Sequence, residues 1–170
     1  DFGDDTLFKV LQINKVNKEL FFKKILKTLS RLQLIKDKQV VNFKSQKYKV
    51  QEYDNKILSS EAKLFSEWYA PTKINRLKIK FFKKKYENEV QKLLLKLNLK
   101  NDTFVHRDFH VSNLIYVKNS IAVIDSQDAL IGNKAYDLAS LVDDVRFKTS
   151  NKLKNKILNN YLKKFKKKEI

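Results

Sequence analysis

The chain has 170 residues and contains no cysteine. That length can bury a sizeable core in one domain, and the absence of cysteine excludes disulfides and thiolate metal sites. No apolar run approaches the roughly 20 residues that a membrane-spanning helix needs, and no signal peptide is visible in the sequence. These features favour a cytoplasmic protein without membrane contact.

The formal net charge is +18, which raises the question of a nucleic-acid partner. Only four of the 37 basic residues are arginine, and asparagine and isoleucine are also abundant, as expected of an A/T-rich genome. Acidic residues are interleaved with the basic ones up to residue 144. We therefore interpret the charge as a solvated surface and do not expect a nucleic-acid partner.

The predicted elements are mainly helical. Residues 1–5 are predicted to form a turn that leads into a helix, and residues 36–58 are polar and irregular apart from a short extended piece at Val40 and Val41. Apolar residues at helical spacing predict further helices over residues 17–35, from Ser59 or Ser60 to about Pro71, and over residues 76–98, 135–147 and 152–165. We expect a mainly α domain with one small β-hairpin, an α+β fold.

The hairpin belongs to the most informative segment, residues 103–128. It contains His106-Arg107-Asp108, then Asn113 five residues after the aspartate. Two β-branched, apolar strands follow, at residues 114–117 and 121–124, with a turn around Asn119, and the second strand leads into Asp125. This order of loop, asparagine, hairpin and aspartate is the layout of a kinase catalytic loop and its metal-binding aspartate.

The spacing suggests a role for each of the three polar residues. Asp108 would accept or orient the proton of an acceptor hydroxyl, while Asn113 and Asp125 would bind Mg²⁺, which prefers oxygen ligands and leans on substrate phosphates. Each residue alone could equally be a turn residue. Their common register favours the catalytic interpretation and predicts ATP and Mg²⁺ as cofactors.

The rest of an ATP site is missing from the sequence. The two glycines, Gly3 and Gly132, cannot build a Gly-rich phosphate loop, and no strand with a Val-Ala-Ile-Lys type of lysine is visible. The chain also lacks methionine. We therefore expect a partial chain.

Several motifs together resemble one family. They are His106–His110, Asn113-Leu114, Val123–Ala129 (Val-Ile-Asp-Ser-Gln-Asp-Ala), and Gly132 followed by Tyr136–Leu141 (Tyr-Asp-Leu-Ala-Ser-Leu). These motifs resemble the aminoglycoside phosphotransferase/choline kinase-like superfamily, and within it the bacterial anomeric kinases of N-acetylmuramate and N-acetylglucosamine used in peptidoglycan recycling. Glu61, Leu64-Phe65 and Trp68 resemble a Glu-x-x-Leu-Phe-x-x-Trp helix of that group. Ser126 departs from the aromatic residue usual after the metal aspartate.

The resemblance implies that the chain is the C-terminal lobe of a protein-kinase-like fold, truncated at both ends. Residues 1–170 would form this single lobe and would need the N-terminal lobe that is missing. Residues 1–5 would be a remnant of the hinge between the lobes, with Asp1, Phe2, Gly3 and Asp4 near the nucleotide.

The resemblance also implies roles for residues around the catalytic loop. His106 and Asp137 would brace the loop by hydrogen bonds without taking part in the chemistry. Candidate substrate-binding residues are His110, Gln127, Asp128, Glu61 and Trp68. The alternative for Gln127 and Asp128 is loop surface, and for Trp68 it is a place in the core, the more common use of an aromatic residue on an amphipathic helix.

The sequence thus predicts an ATP- and Mg²⁺-dependent phosphotransferase acting on a hydroxyl of a small molecule, best an amino sugar. We expect residues 1–170 alone to be inactive. The alternatives are a kinase of the choline, aminoglycoside or homoserine type, or a non-enzymatic basic binding module.

Overall fold

The computed structural model describes residues 3, 5–13, 15–41, 44–97 and 100–166, with side chains described up to residue 163. The fold is a mixed α+β arrangement in which helices surround three small antiparallel strand pairs. This confirms the predicted α+β class. None of the helices in the described ranges is both long and apolar enough to cross a membrane.

The described ranges contain six α-helices. They are α1 (Leu7–Gln12), α2 (Lys18–Leu32), α3 (Asn55–Leu64), α4 (Arg76–Lys96), α5 (Tyr136–Val142) and α6 (Asn151–Lys166). A π-helical segment, Phe65–Tyr69, and a 3₁₀ turn, Ala70–Thr72, continue α3.

The prediction that Ser59 or Ser60 caps a helix is wrong. The side chain of Asp54 accepts a hydrogen bond from the Ile57 amide at 2.9 Å, so α3 begins at Asn55 and includes both serines. The predicted helix over 135–147 is also shorter, because α5 ends at Val142.

The strands form three pairs where one hairpin was predicted. The pairs are β1 (Gln39–Val41) with β2 (Lys47–Lys49), β3 (Thr103–Val105) with β6 (Leu130–Gly132), and β4 (Leu114–Val117) with β5 (Ser120–Val123). The turn of the predicted hairpin is tighter than expected, since Ser120 belongs to β5.

The β3–β6 pair is extended by the chain before α3. The Ile131 amide donates to the Gln51 carbonyl, and the Tyr53 amide donates to the Ile131 carbonyl, both at 2.8 Å. A Cβ atom added at Gly132 would lie 3.1 Å from Cβ of Tyr53 and 3.2 Å from Cγ2 of Val105. The glycine therefore lets Tyr53 pack closely against this sheet.

The main core lies between the N-terminal helices, α5, α6 and the β4–β5 hairpin. Its fully buried members include Leu7, Leu11, Ile25, Leu29, Phe109, Leu114 and Leu141. Helix α3 buries no side chain and α4 buries only Leu94. The two helices form an outer layer, so the expectation that Trp68 belongs to the core is wrong: its side chain is 75% exposed.

Candidate active site

The loop that follows β3 is anchored in the core on both sides of His110. Phe109 and Val111 are fully buried and belong to the main hydrophobic cluster. Complete burial of such a side chain stabilises the fold by roughly 1.5–3 kcal/mol. The backbone of Asp108 and His110 is therefore held against a rigid base, as a catalytic group requires.

The Asp137 side chain binds the backbone at the start of this loop. Its two carboxylate oxygens accept the backbone N–H groups of His106, at 2.9 Å, and Arg107, at 3.0 Å. Burial raises the pKa of Asp137, while the two backbone hydrogen bonds act in the opposite direction. This is the contact that a bracing role for Asp137 requires, and it explains why a carboxylate is buried in the first turn of α5.

His106 joins the loop to the hairpin. Its Nε2 lies 3.0 Å from the carbonyl oxygen of Ile124. Because a carbonyl oxygen can only accept, this contact places the ring proton on Nε2. Ile124 precedes Asp125, so His106 connects the segment of Asp108 to the residue next to Asp125.

The β4–β5 hairpin brings Asn113 and Asp125 to one end of a short ribbon. Lys118 and Asn119 both have positive φ, 43° and 66°, in a two-residue turn that fixes the register. At the other end the Ile124 amide donates to the Asn113 carbonyl at 3.1 Å, which continues the ladder. Asp125 follows directly after the residue that pairs with Asn113.

Asn113 also contacts the segment of Asp108. Its Nδ2 donates to the Asp108 carbonyl at 3.1 Å. The amide nitrogen is thereby assigned to a protein acceptor, and Oδ1 is the atom suited to bind a cation. Hydrogen bonds thus connect Asn113 to the Asp108 backbone and to Ile124, the residue before Asp125.

The side-chain oxygens of Asn113 and Asp125 suit a magnesium ion that takes its remaining ligands from a substrate and water. Across the described ranges, no three His, Asp or Glu side chains cluster as a metal cage. One amide oxygen and one carboxylate match the sparse protein share that Mg²⁺ takes when phosphates and waters complete its shell. Asn113 and Asp125 are the residues that would hold such an ion.

Two residues of the site have a left-handed backbone. Arg107 has φ 74° and Asp125 has φ 68°. Such a conformation costs a residue other than glycine on the order of 1–3 kcal/mol and persists only where the surroundings impose it. Arg107 is adjacent to Asp108, and Asp125 is a candidate metal ligand. The strained backbone therefore lies at or next to residues whose side-chain orientation would matter for phosphoryl transfer.

His110 lies inside this network. Its ring is buried, and Nδ1 has no hydrogen-bond partner within the described part of the chain. Nε2 lies 3.5 Å from Nδ2 of Asn113. Burial, and then the positive charge of Arg146, lower the pKa of His110 below its usual value.

The remaining candidate residues occupy different positions. Gln127 is exposed and donates from Nε2 to Oδ1 of Asp125 at 2.7 Å, and Asp128 follows it in the same exposed loop. Glu61, on α3, forms an ion pair with Arg107. Trp68 lies on the π-helical segment, a type of turn that is frequent at functional sites.

Only Gly3 of the predicted hinge residues is described, with φ 77°. Asp1, Phe2 and Asp4 lie outside the described residues. Next to them, the Asp5 carbonyl accepts the Tyr116 amide at 2.9 Å, which attaches the start of the chain to β4.

Two residues near the site were missed by sequence reasoning. Tyr53 is buried, and its hydroxyl donates to Glu61. The carboxylate of Asp144 is only 1% exposed, and its charge influences His110. Neither residue lies in a periodic pattern or a motif that could have revealed it.

The chain is similar to known phosphotransferases and kinases. A family model described as the phosphotransferase enzyme family matches residues 16–168. The N-acetylmuramate/N-acetylglucosamine kinase of Neisseria meningitidis serogroup B is 37% identical over 93 residues, which cover 55% of this chain and 28% of that protein. The kinase of the same name from Pseudomonas aeruginosa is 30% identical over 113 residues, which cover 66% of this chain and 33% of that protein.

Two solved structures share the fold. APH(2'')-IIa in complex with gentamicin superposes with a TM-score of 0.56 at 21% identity, covering 92% of this chain and 52% of that one. The ADP-bound aminoglycoside phosphotransferase APH(2'')-Ib gives a TM-score of 0.55 at 20% identity, with 94% and 53% coverage. The chain spans about half the length of these structures and about a third or less of the curated relatives' length.

The fold is shared with two solved aminoglycoside phosphotransferase structures. The chain belongs to the phosphotransferase enzyme family.

Proposed function

We propose that the chain supplies the catalytic half of an ATP- and Mg²⁺-dependent kinase that phosphorylates a hydroxyl of an amino sugar. One observation supports this most strongly. The Ile124 amide, next to Asp125, donates to the Asn113 carbonyl at 3.1 Å, and the Asn113 side-chain amide donates to the Asp108 carbonyl at 3.1 Å. Phosphoryl transfer asks mainly for such positioning of a proton acceptor and of metal-binding oxygens.

In this proposal Asp108 accepts the proton of the acceptor hydroxyl while the hydroxyl oxygen bonds to the γ-phosphorus of ATP. The bond from that phosphorus to the bridging oxygen breaks, and ADP leaves with the electron pair. A bound Mg²⁺ would neutralise charge on the phosphates. Asn113 and Asp125 orient their oxygens toward it, while His106 and Asp137 keep the loop and the hairpin in register.

The amino-sugar acceptor is supported by the curated relatives, which are named as N-acetylmuramate/N-acetylglucosamine kinases. The nucleotide is supported by the ADP-bound structural neighbour. We further propose that the chain acts as a C-terminal lobe whose partner lobe covers the phosphates, since two glycines cannot form a Gly-rich phosphate loop.

The test is the Asp108→Asn variant of the full-length protein, assayed with N-acetylmuramate, N-acetylglucosamine, choline, homoserine and an aminoglycoside. We expect wild-type activity on an amino sugar. The variant should lose about 10²- to 10⁴-fold in kcat, the usual contribution of a general base, while its ATP affinity stays largely intact.

Asp102→Asn is a matched control, because Asp102 is a partly exposed aspartate just before β3 that pairs with Lys100. It should leave turnover unchanged. Equal turnover by Asp108→Asn and wild type would remove Asp108 from the mechanism, and preference for another acceptor on the panel would replace the amino sugar.

A further inference from the structure

Four residues around the Arg107 side chain form a connected cluster, which we name the Arg107 clamp: Arg107, Glu61, Tyr53 and Asp128. The Arg107 guanidinium donates to Glu61 from Nη2 and to the Asp128 carbonyl from Nη1 at 3.2 Å. The Tyr53 hydroxyl donates to the other oxygen of Glu61. The guanidinium carbon also lies 5.5 Å from the centre of the Tyr53 ring, a cation–π contact.

Glu61 is fully engaged within this cluster. One carboxylate oxygen accepts from Arg107 and the other accepts from Tyr53. The ion pair is partly sheltered from water, with side chains that are 27% exposed for Arg107 and 30% for Glu61. A carboxylate that binds a sugar would instead direct at least one oxygen toward an open cavity, so the contacts favour a role inside the protein.

The clamp connects the two loops that supply the proposed chemistry. Arg107 precedes Asp108, and its own amide is held by Asp137 at 3.0 Å. Asp128 lies three residues after Asp125 in a turn closed by the Ala129 amide and the Ser126 carbonyl at 3.2 Å. One guanidinium therefore joins the segment of Asp108 to the segment of Asp125, and Glu61 holds that guanidinium from α3.

The strained backbone of Arg107 fits this arrangement. A left-handed conformation at a residue other than glycine persists only where the surrounding contacts impose it. Asp137 supplies a contact to the main chain and Glu61 a contact to the side chain. Without Glu61, the guanidinium loses its ion pair and keeps the exposed Asp128 carbonyl and the Tyr53 side chain as neighbours.

We propose that Glu61 is a positioning residue which, through Arg107, sets the separation between Asp108 and Asp125. This inference rests on the proposed phosphoryl transfer and gives α3 a part in it. It also replaces the expectation that Glu61 binds substrate.

The experiment compares Glu61→Gln and Arg107→Lys with wild type in the full-length protein. Glutamine keeps the size and an acceptor for Tyr53 but loses the charge, and lysine keeps the charge but loses the planar fork. We expect both variants to lose about 10- to 100-fold in kcat, as for a small displacement of reacting groups, with little change in KM for the sugar. Glu61→Asp, which restores the charge, should recover part of the lost kcat.

Glu87→Gln is the matched control. Lys63 lies on α3 two residues after Glu61 and pairs with Glu87 of α4 at 3.9 Å, so this variant breaks an ion pair of α3 away from the clamp. It should leave both constants unchanged. A raised KM with unaltered kcat in Glu61→Gln would make Glu61 a substrate-binding residue, and unaltered constants would remove it from the reaction; either result overturns the proposal.

A readout independent of activity separates this proposal from the kinase assignment. Hydrogen exchange at the Arg107 and Ala129 amides should be faster in Glu61→Gln than in wild type and unchanged in Glu87→Gln. Unchanged exchange in Glu61→Gln would refute the clamp even in an active kinase. If wild type phosphorylates none of the acceptors while exchange responds as expected, the kinase proposal fails and the clamp stands as a structural connection only.

Discussion

At the scale of single residues, the site depends on side chains whose environments differ from water. Asp137 is a buried carboxylate that accepts two backbone hydrogen bonds, and His110 is a buried imidazole with no partner for Nδ1 among the described residues. Burial disfavours the charged form of both groups. An imidazole ordinarily titrates closer to neutral pH than a carboxylate does, so His110 links the site to conditions that an experiment can vary.

We predict that the protein loses stability on acidification through His110. Burial and then Arg146 lower the pKa of His110 below 6.5, while the nearby Asp144 and Asp108 oppose this and His106 adds to it. In the pH range between the folded pKa and 6.5, the unfolded chain binds the proton and the folded chain does not. The contribution of neutral His110 to the free energy of unfolding is therefore complete above pH 6.5 and is lost as the pH falls through the folded pKa.

The measurement is urea unfolding of wild type and His110→Gln from about pH 7.5 to about pH 5, together with the NMR titration of the two histidines. The difference in stability between the two proteins should shrink as the pH falls. A His110 ring that titrates at or above 6.5 would contradict the prediction.

The residues of the site were predictable where they lie close in sequence. His106, Asp108, Asn113 and Asp125 all fall within 20 consecutive residues, and the spacing of loop and hairpin is a local property of the chain. The clamp was not predictable, because Arg107 and Glu61 are separated by 46 positions. Only the packing of α3 against the loop brings them together.

At the scale of elements, the continuation of α3 exposes two large aromatic side chains, Trp68 and Tyr69. The π-helical segment Phe65–Tyr69 presents Trp68 at 75% and Tyr69 at 54% exposure, while Phe65 stacks on Tyr69 with ring centres 5.4 Å apart. A tryptophan in water contributes little to stability, since its apolar surface is not buried. Its exposure is consistent with stacking on a sugar ring.

We predict that Trp68→Ala raises KM for the amino-sugar acceptor while changing the free energy of unfolding by no more than about 0.5 kcal/mol, as for other surface substitutions. Acceptor kinetics and urea unfolding of the full-length protein measure the two effects. Phe81→Ala is the control, because Phe81 is 74% exposed on α4. If both variants leave KM unchanged, Trp68 does not contact the sugar; a large loss of stability would instead make it a packing residue.

Helices were predicted more accurately than strands for a physical reason. Helix α2 displays its buried residues at positions 22, 25, 26 and 29, a periodicity visible in sequence. Strands β3 and β6 are three residues each, and the whole catalytic loop and hairpin lie between them in the sequence. No local sequence pattern therefore predicts their pairing. The start of α3 was missed because Asp54 competes with Ser59 and Ser60 as a cap, and only the structure shows which side chain bonds a free amide.

At the scale of the whole molecule, the net charge of +18 is the feature that would suit a basic binding module. A module that neutralises many phosphates would bind nucleic acid tightly at low salt and lose that affinity steeply as salt rises. In the structure part of the charge is paired: the ion pairs include Lys154 with Asp143 and Lys156 with Glu19.

We predict only non-specific affinity for nucleic acid, with a Kd of about 10⁻⁴–10⁻⁶ M at physiological salt. Gel shifts with single- and double-stranded DNA and RNA at two salt concentrations measure it. Sub-micromolar binding that persists at the higher salt would favour the binding module over the kinase.

The β4–β5 ribbon has a consequence for how this protein can change in length. Adding or removing one amino acid within β5 would turn every following side chain to the opposite face and bring Ile124 or Ser126 to the position that Asp125 now occupies. The residues of strands β1 and β2 are all exposed, so a change of register there would move no buried side chain of these strands. Natural variants should therefore tolerate insertions and deletions in the β1–β2 pair and keep the number of residues from Ser120 to Asp125 unchanged.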